Sequence, residues 1–466
     1  MMRRAIVIIG IIVLCMAWTP ANGQAQEAGA PAMGQVTWDP FLDTLQVKTL
    51  KFFLETTDVA TGLTPDRWPK PAPSSIAAVG FALTAYPIAV ERQLITRAEA
   101  ATRVLNTLKF FWRLPQNPGR DDVAGYKGFF YHFLDVKKGT RYWKCELSTI
   151  DTALLLAGAL FCQTYFQGSG DDEIAIRSLV DSLYFRVDWN WAMAGEPGVK
   201  TGWHPEEGFS PHIWDGYDEA MILYILALGS PTHGLPESVW QTWTKPYIWA
   251  EYYGMEFISF GPLFGHQFSH CWIDFRGIQD AYMREKGIDY FENSRRATYS
   301  QRSYAIENPL GWKDYSENVW GFSACDGPGD VTLKIDGKKR KFWSYYARGV
   351  SFDWVGDDGT IAPYAAGSSV AFAPEICIPA LKTMRARYGD RVWQQYGFID
   401  AFNLNYITRE TPLGWFDTDY IGIDQGPIVI MIENLRSGFV WNVMRQNPYI
   451  IEGLRKAGFT GGWLAQ

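Results

Sequence analysis

Residues 201–234 read TGWHPEEGFSPHIWDGYDEAMILYILALGSPTHG, and this stretch indicates how the whole chain is organised. A loop rich in aromatic and acidic residues leads directly into AMILYILALG, which carries almost no polar side chain. A helix that is apolar on every face must be buried on every side. The stretch therefore predicts a buried helix that begins at Asp218 and whose first turn opens into a polar cavity.

The acidic pair Asp218 and Glu219 has two interpretations. Negative charge at a helix start is stabilised by the free amide groups and by the helix dipole, so the pair could serve only as a cap. Carboxylic acids among tryptophan and tyrosine rings also suit sugar cleavage, because rings stack on pyranose faces and acids move protons. Glu219 is the stronger catalytic candidate, since a partly desolvated acid can keep its proton near neutral pH.

The same arrangement of an apolar helix followed by an amphipathic one recurs along the chain. Apolar helices are predicted over 74–90 and 148–166, and the three apolar helices start at 74, 148 and 218. This period fits an inner helix, an outer helix and their loops. Less regular candidates continue the pattern: inner helices from 266, 368 and 424, and outer helices over 96–114, 172–187, 287–304, 391–403 and near the C-terminus. The predicted fold class is all-α, an (α/α)6 toroid with its chemistry at one mouth of the inner ring.

One insertion and one leader interrupt this pattern. DVTLKIDGKKRKFWSYYARG, residues 330–349, predicts a small β-hairpin that turns at Asp336 and Gly337. Residues 1–26 have a basic start, an apolar run of 14 residues and then small residues, which is typical of a signal peptide and too short to span a bilayer. We expect a single catalytic domain over 27–466, periplasmic or secreted, with no stable membrane insertion after cleavage.

Bulk composition narrows the function classes. The chain has 466 residues, a formal net charge of -7 and 16% aromatic residues. An acidic chain has no electrostatic attraction for nucleic acid, so no nucleic-acid partner is expected. No Gly-rich phosphate loop follows a predicted strand and no GxSxG motif is present, which argues against nucleotide chemistry and serine hydrolysis.

Further acids precede the second apolar helix. Glu146 lies just before that helix beside Trp143, and Asp151 lies in its first turn, the point that Glu219 occupies one repeat later. Asp151 also has a structural interpretation, because STID at 148–151 resembles a capping box with Asp in place of Glu. Both interpretations of Asp151 stay open.

The series His266, His270 and Asp274 has i, i+4, i+8 spacing, which could align three metal ligands on one helical face. There is no HExxH motif, and the neighbouring aromatic residues favour imidazoles that are hydrogen-bonded inside the wall or that reach sugar hydroxyls. We therefore predict no catalytic metal and no cofactor.

Five segments together carry a family resemblance: YDEAMILYILALGSPTHGLP (217–236), GPLFGHQFSHCWIDFRGIQD (261–280), NPLGWKDYSENVWGFSACDGP (308–328), DDGTIAPYAAGSSVAFAPE (357–375) and GWFDTDYIGIDQGPIVIMIEN (414–434). With them the mature chain resembles the bacterial glucoamylase-like domain family, which includes glycoside hydrolase family 144, the β-1,2-glucanases, and is similar to the hydrolase-like part of cyclic β-1,2-glucan synthases. The resemblance implies an (α/α)6 barrel and, for the characterised branch, hydrolysis of β-1,2-glucan with inversion and without metal.

The resemblance also implies a set of site residues. Functional carboxylates of the family precede the second and third inner helices, which corresponds to Glu146 and Glu219 here, with Asp151 as a weaker candidate. Asp400 is the candidate for the late carboxylate that helps to activate water. The residues expected to bind substrate are Asp66, Arg67, Trp203, Trp214, Asp218, His266, Trp312 and Trp415.

The leading hypothesis is an exported glycoside hydrolase that acts on β-linked glucan, β-1,2-glucan or its oligosaccharides, with an oligo- or polysaccharide as its partner. Glu219 is the favoured acid. Two alternatives remain at this point: an α-glucoside hydrolase of the glucoamylase type, and a glucan-binding protein without catalysis. A polysaccharide lyase is disfavoured, because it needs a basic subsite for uronates and the chain is acidic.

Overall fold

The structure, a computed structural model, describes residues 37–335 and 337–465. The leader predicted at 1–26 lies outside these residues, as does Asp336 of the predicted hairpin turn. The described part is rich in helix, and its architecture is the predicted (α/α)6 toroid. Sixteen α-helices are described: α1 Phe41–Thr56, α2 Ile76–Glu91, α3 Arg97–Arg113, α4 Thr149–Tyr165, α5 Asp171–Phe185, α6 Trp189–Met193, α7 Met221–Gly229, α8 Ser238–Thr244, α9 Phe264–Gln267, α10 Ala281–Lys286, α11 Tyr290–Glu307, α12 Pro363–Gly367, α13 Pro374–Tyr388, α14 Gly422–Ser437, α15 Phe439–Met444 and α16 Pro448–Lys456.

The strands are short, with two to five residues each. They are β1 Arg67–Trp68, β2 Ser74–Ser75, β3 Gly125–Tyr126, β4 Phe129–Tyr131, β5 Phe133–Leu134, β6 Leu147–Ser148, β7 Gly202–His204, β8 Gly208–Phe209, β9 Trp249–Tyr252, β10 Met255–Ile258, β11 Ala324–Cys325, β12 Val331–Ile335, β13 Lys338–Phe342, β14 Tyr346–Ala347, β15 Gly349–Val350, β16 Val355–Gly356, β17 Thr360–Ile361, β18 Trp393–Gln394, β19 Gly397–Phe398, β20 Phe402–Asn403, β21 Trp415–Phe416 and β22 Tyr420–Ile421. The largest sheet has five strands in the order β3-β4-β6-β7-β8.

Alternation of buried and half-buried helices is clear in the first half of the chain. Helix α2 buries fourteen of its sixteen residues and α7 buries all nine, whereas α3 buries seven of seventeen and α5 four of fifteen. Helix α3 starts with the Thr96 and Glu99 capping box. The predicted inner and outer helices of this half are therefore confirmed.

Glycine lets two inner helices touch. A Cβ atom on Gly158 of α4 would lie 2.0 Å from the carbonyl oxygen of Gly80 in α2, closer than any real contact. A Cβ on Gly80 would in turn meet the Leu154 carbonyl oxygen at 2.3 Å. The glycines in these apolar helices thus permit the close backbone approach that closes the inner ring.

The second half departs from the prediction in several places. The helix expected from 266 is broken into α9 and a 3-10 turn at Ser269–Cys271, and the helix expected over 391–403 is replaced by β18, β19 and β20. The helix from 266 is broken where Ser269 bonds to backbone groups of another segment. The Ser269 hydroxyl accepts the Ile222 amide at 3.0 Å and donates to the Glu219 carbonyl oxygen at 3.2 Å. Over 391–403, Gly397 has a φ of +96° and turns β18 back on β19.

Two further helix starts and the burial of one helix differ from the prediction. The third apolar helix begins at Met221, not at Asp218, because the Asp218 carboxylate accepts the Ala220 amide at 2.8 Å in a turn that precedes the helix. The helix expected from 368 begins at Pro374, where proline suits a first helical position. Helix α11, expected on the outside, buries twelve of its eighteen residues.

Strands β12 and β13 confirm the predicted hairpin and pair antiparallel from Val331 opposite Phe342 to Ile335 opposite Lys338. Within the described residues, none of the helices combines the length and the apolar character needed to cross a membrane.

Candidate active site

The five-stranded sheet positions the first acidic side chain of the site. Strand β4 pairs with β6 so that Tyr131 lies opposite Leu147, and the ladder continues one step further. The His132 amide donates to the Glu146 carbonyl oxygen at 2.9 Å. This register also brings the two side chains together, with His132 Nδ1 2.7 Å from Glu146 Oε1.

A second carboxylate lies on the other side of the same imidazole. His132 Nε2 is 3.6 Å from Asp151 Oδ2, and Asp151 is only 5% exposed in the first turn of α4. Ser148 caps this helix by accepting the Asp151 amide at 3.1 Å, and its hydroxyl donates to the Asp151 carboxylate. Asp151 therefore takes part in the cap and also contacts the site.

His132 carries a positive charge between these two carboxylates. Burial lowers the pKa of the imidazole, but the charges of Asp151 and Glu146 outweigh burial and raise the pKa to about 9. The imidazolium acts back on its partner: burial raises the pKa of Glu146, and the hydrogen bond and charge of His132 bring it below the ordinary value. Glu146 is thus ionised at neutral pH.

Glu219 has the opposite environment. Burial, together with the negative charge of Asp151, raises the pKa of Glu219 to about 7. No side chain of residues 37–335 or 337–465 donates a hydrogen bond to its carboxyl group. The neighbouring Asp218 is engaged by the Trp243 indole at 3.4 Å and the Ala220 amide, and burial raises its pKa. Glu219 is therefore the acid of this pair that stays free to give a proton to a bound molecule.

We call His132, Glu146, Asp151 and Glu219 the histidine group. Its members come from three separate loops, and each is linked to the next by contact or by electrostatic influence. The sequence hypothesis required acids from different repeats to converge. The structure brings Glu146 and Asp151 to opposite sides of one imidazole, and Glu219 lies within electrostatic reach of Asp151.

A second cluster surrounds Arg67. Its guanidinium contacts Asp326, Asp66 at 3.2 Å and Asp419 at 3.6 Å. The Lys70 ammonium adds contacts of 2.8 Å to Asp419 and 3.9 Å to Asp417. Pairing of β1 with β22, which sets Arg67 opposite Ile421, draws these segments together. We call Asp66, Arg67, Lys70, Asp326, Asp417 and Asp419 the arginine group.

The arginine group contains the arrangement closest to a metal site in the described part of the chain. One carboxylate oxygen each from Asp326, Asp417 and Asp419 lie within 4.8 Å of one another. Arg67 and Lys70 contact these carboxylates, so two cationic side chains already supply positive charge to the cluster.

Asp400 lies in the floor beside the arginine group and is 1% exposed. Its Oδ2 accepts the Asp326 amide at 2.7 Å. Burial raises the pKa of Asp400 and of Asp424, which lies in the first turn of α14, and the negative charge of Asp424 raises the pKa of Asp400 further. The sequence argument named Asp400 but did not single out Asp424 as its partner.

Asp66 connects the two groups. Burial raises its pKa, while the positive charges of Arg67 and His132 lower it. Asp66 therefore lies within electrostatic reach of both cations, which places the histidine group and the arginine group side by side. We call the polar region that they border the hollow; it is open to solvent, since the side chains of His132 and Glu146 are 30% and 32% exposed.

Of the predicted tryptophans, three are partly buried near this hollow. The Trp203 ring lies 5.6 Å from Tyr126 and 5.7 Å from Trp191. The Trp214 indole donates to Thr149 Oγ1 at 3.0 Å. Trp415, two residues before Asp417, lies opposite Asn403 in the pairing of β20 with β21. Their contacts with substrate stay a prediction.

Two predicted subsite residues are placed elsewhere. His266 is 0% exposed, and its Nε2 lies 3.2 Å from the Phe260 carbonyl oxygen; burial lowers its pKa to about 4. Trp312 is 5% exposed, and the Arg340 guanidinium lies 4.2 Å from the ring centroid. Because His266 is enclosed in the wall and Trp312 is covered, neither offers a surface to a sugar in this structure.

The metal-ligand series is also dispersed. His270 Nε2 contacts Ser294 Oγ at 3.1 Å, while Asp274 is paired with Arg276 and Arg445. The broken helix from 266 removes the common face that the spacing predicted.

Sequence reasoning missed three contributors. His132 and Lys70 have no motif around them, and only the tertiary contacts reveal their partners. Tyr345 is 52% exposed, and its pKa is raised by burial of the hydroxyl and by the charges of Asp424, Asp400 and Asp66. An exposed aromatic ring thus stands beside the acids at the mouth.

Comparison with known proteins agrees with this geometry. Residues 211–448 match the family model Glycoamylase, described as "Putative glucoamylase". A protein from Bacteroides uniformis ATCC 8492, whose crystal structure is described in the same words, is 31% identical, with a TM-score of 0.80 over 93% of this chain and 100% of that one. The endo-β-1,2-glucanase from Chitinophaga pinensis, solved with sophorotriose and glucose, is 25% identical, with a TM-score of 0.77 over 92% and 100%.

A curated relative extends the comparison. The exo β-1,2-glucooligosaccharide sophorohydrolase (non-reducing end) of Parabacteroides distasonis is 27% identical over an alignment of 455 positions that covers 90% of this chain and 58% of the relative. The chain thus spans little more than half the length of that protein. Given the family match over half of the sequence and the 31% identity across a whole relative, this chain belongs to the glucoamylase-like family.

Proposed function

We propose that the chain is a glycoside hydrolase that cleaves β-1,2-glucan or its oligosaccharides by an inverting acid/base mechanism. One observation carries the proposal: neighbouring carboxyl groups of the histidine group have their pKa values moved in opposite directions. Glu219 is raised to about 7 and Glu146 is lowered by His132. A protonated acid and an ionised carboxylate in one hollow are what hydrolysis of a glycosidic bond requires.

In this reaction Glu219 gives its proton to the glycosidic oxygen as the bond from that oxygen to the anomeric carbon breaks. A water molecule attacks the anomeric carbon from the opposite face, and its proton passes to an ionised carboxylate. Glu146 is the group proposed for this second role, because His132 keeps it ionised at the pH where Glu219 holds its proton. Asp400 and Asp424 are almost fully buried, and Asp400 supports the floor of the site by accepting the Asp326 amide.

The relatives support the linkage. The Chitinophaga pinensis and Parabacteroides distasonis proteins are named for β-1,2-linked glucans, and both align with at least 90% of this chain. Two exposed rings, Tyr345 at 52% beside the acids and Trp143 at 71% three residues before Glu146, provide apolar faces for pyranose stacking.

The direct test is incubation of the purified protein with linear β-1,2-glucan, soluble starch and β-1,3-glucan, with reducing ends and the anomeric form of the product followed over time. We expect turnover of β-1,2-glucan with inversion. Glucose release from starch alone would support an α-glucoside hydrolase, and binding of β-1,2-glucan without turnover would support a glucan-binding protein.

We also propose export to the periplasm or the medium, on the basis of the signal-peptide pattern in residues 1–26. N-terminal sequencing of the protein recovered from cell fractions tests this. A cytoplasmic protein that retains Met1 would contradict it.

A further inference from the structure

The β12–β13 hairpin carries a concentration of positive charge that the acid-driven reaction does not use. The segment KIDGKKRK, residues 334–341, has five cationic residues and one acid in a chain whose net charge is -7. We call this segment the basic hairpin. No lysine or arginine of the basic hairpin forms an ion pair with the acidic residues in the described ranges.

The pairing register sets like charges against each other. Lys334 lies directly opposite Lys339, and Lys341 follows on the same face two residues later. Like charges directly opposite in an antiparallel pair are destabilising. Lysine on exposed strand edges also discourages aggregation, but that purpose does not require two lysines to be paired. An anion bound near this face would relieve the repulsion.

The other face of the hairpin closes over a cleft. Its volume is about 310 Å³, and Lys338, Arg340, Asn308 and Asn405 supply its polar groups. Arg340 is held in place, since it stacks on Trp312 at 4.2 Å and donates to the Leu310 carbonyl oxygen at 2.6 Å. Cationic and amide donors around one concavity suit a phosphate or a carboxylate.

The cleft is tied to the proposed active site through two chain segments. Asn405 follows Asp400 by five residues, and β12 begins five residues after Asp326. Tyr345, three residues after the end of β13, has its hydroxyl within electrostatic reach of Asp400, Asp424 and Asp66, so the chain leaves the hairpin at the edge of the hollow. The hairpin base is fixed as well: Arg348 pairs with Asp358 at 2.8 Å and donates to the Trp343 and Ser344 carbonyl oxygens. A saccharide in the hollow could therefore reach the basic hairpin.

We propose that the basic hairpin binds an anionic group, a phosphate or carboxylate, carried by the glucan chain whose neutral part lies in the hollow. The hairpin then selects substrates with charged substituents. This inference rests on the proposed glucanase function for the location of the glucan. The same chemistry could come from a free anion, so the test includes both sources.

The test uses the full chain and two substrates: neutral linear β-1,2-glucan and the same glucan partly esterified with succinate. Three exposed side chains are changed in Lys334→Gln/Lys338→Gln/Lys339→Gln. We expect kcat/KM for the succinylated glucan to fall about tenfold and that for the neutral glucan to stay constant, since each exposed charge contact contributes modestly. Added NaCl should reduce the wild-type preference for the charged substrate in the same way.

The matched control is Lys51→Gln/Lys109→Gln/Lys245→Gln, three exposed lysines on or at the end of other helices. It should leave the ratio of the two kcat/KM values unchanged. An equal fall for both glucans, or no fall for either, would overturn the proposal. Binding of the wild type, but not of the hairpin variant, to vesicles of anionic lipid with an unchanged substrate ratio would also overturn it, in favour of a membrane surface.

Two further arms separate the remaining outcomes. If inorganic phosphate alone binds at the basic hairpin and changes turnover of neutral glucan, the anion is free and the substrate-borne version is wrong. If the wild type cleaves neither glucan, the proposed function fails, and calorimetric binding of the succinylated glucan to wild type and variant still tests the hairpin. Retained affinity in the variant would then overturn the proposal.

Discussion

The histidine group and the arginine group contain similar numbers of carboxylates but treat them differently. In the histidine group one imidazolium serves Glu146 and Asp151, and Glu219 receives no side-chain hydrogen bond from the described residues. In the arginine group two permanent cations hold Asp66, Asp326 and Asp419. Each arrangement raises the pKa of one acid to about 7, by burial in both cases: Glu219 in the first group and Asp417 in the second. Asp417, however, accepts the Thr418 amide at 2.7 Å and faces the Lys70 ammonium, whereas the Glu219 carboxyl group stays free to exchange its proton with a bound molecule. The difference predicts chemistry in one group and substrate positioning and stability in the other.

The largest expected effect is on the free acid. Glu219→Gln should lower kcat for β-1,2-glucan by about 10³-fold or more, because a general acid contributes 10²–10⁴-fold and the amide has no proton to give. Affinity for the glucan, measured by calorimetry, should change little. Glu237→Gln, at an exposed position before α8, is the matched control and should keep full activity. A Glu219→Gln enzyme that retains wild-type kcat would remove Glu219 from the mechanism.

The second-largest effect is expected on stability, when Arg67 of the arginine group is replaced. Arg67→Met leaves Asp66 and Asp326 without their cation and Asp419 with Lys70 alone, and breaking such buried pairs is costly. We expect a loss of about 2–3 kcal/mol in the free energy of unfolding, discounted because the Arg67 side chain is 26% exposed. Chemical denaturation measures it, with Arg113→Met on the exposed surface of α3 as the control. Equal stability of the two variants would contradict the structural role.

The third-largest effect is expected on the pH profile of activity, which depends on the charge states of Glu219 and Glu146. Activity needs Glu219 protonated, so kcat/KM should fall as pH rises through about 7, and it needs Glu146 ionised, so the rate should fall only below the ordinary pKa of a glutamate. In His132→Gln the imidazolium no longer lowers the pKa of Glu146, and the acidic limb of the profile should move to higher pH. His233→Gln, at a partly exposed histidine far along the chain, should not move it. An acidic limb that stays in place would show that His132 does not set the charge of Glu146.

The smallest effect is expected at the mouth. Trp143→Ala removes a ring that is 71% exposed and three residues from Glu146, so it should raise KM a few-fold, as loss of one stacking contact does, with kcat nearly unchanged. Trp112→Ala, an exposed ring on the outer helix α3, is the matched change away from the site. Equal KM values for both variants would place sugar binding elsewhere.

The sequence alone was sufficient for the regular part of the fold. Helices α2 to α5 begin within two residues of their predicted starts, because an unbroken apolar run such as that of α2 or α4 has no stable place except the interior. The hairpin of β12 and β13 could also be predicted, because apolar and polar residues alternate in its strands and an Asp-Gly pair marks the turn. Glu146 and Glu219 could be named because acids at the starts of apolar helices point into whatever cavity those helices surround.

Only the tertiary structure decided the rest. The helix expected from 266 is broken, since the Ser269 hydroxyl bonds backbone groups on either side of the start of α7, and such long-range competition leaves no local pattern. The charge states in the site depend on His132, which no motif marks and which acquires its pKa of about 9 only where β4 and β6 bring it between Glu146 and Asp151. The spacing of apolar residues shows which side chains must be buried. The pKa of an acid or base depends instead on charges a few ångströms away, which can come from any part of the chain.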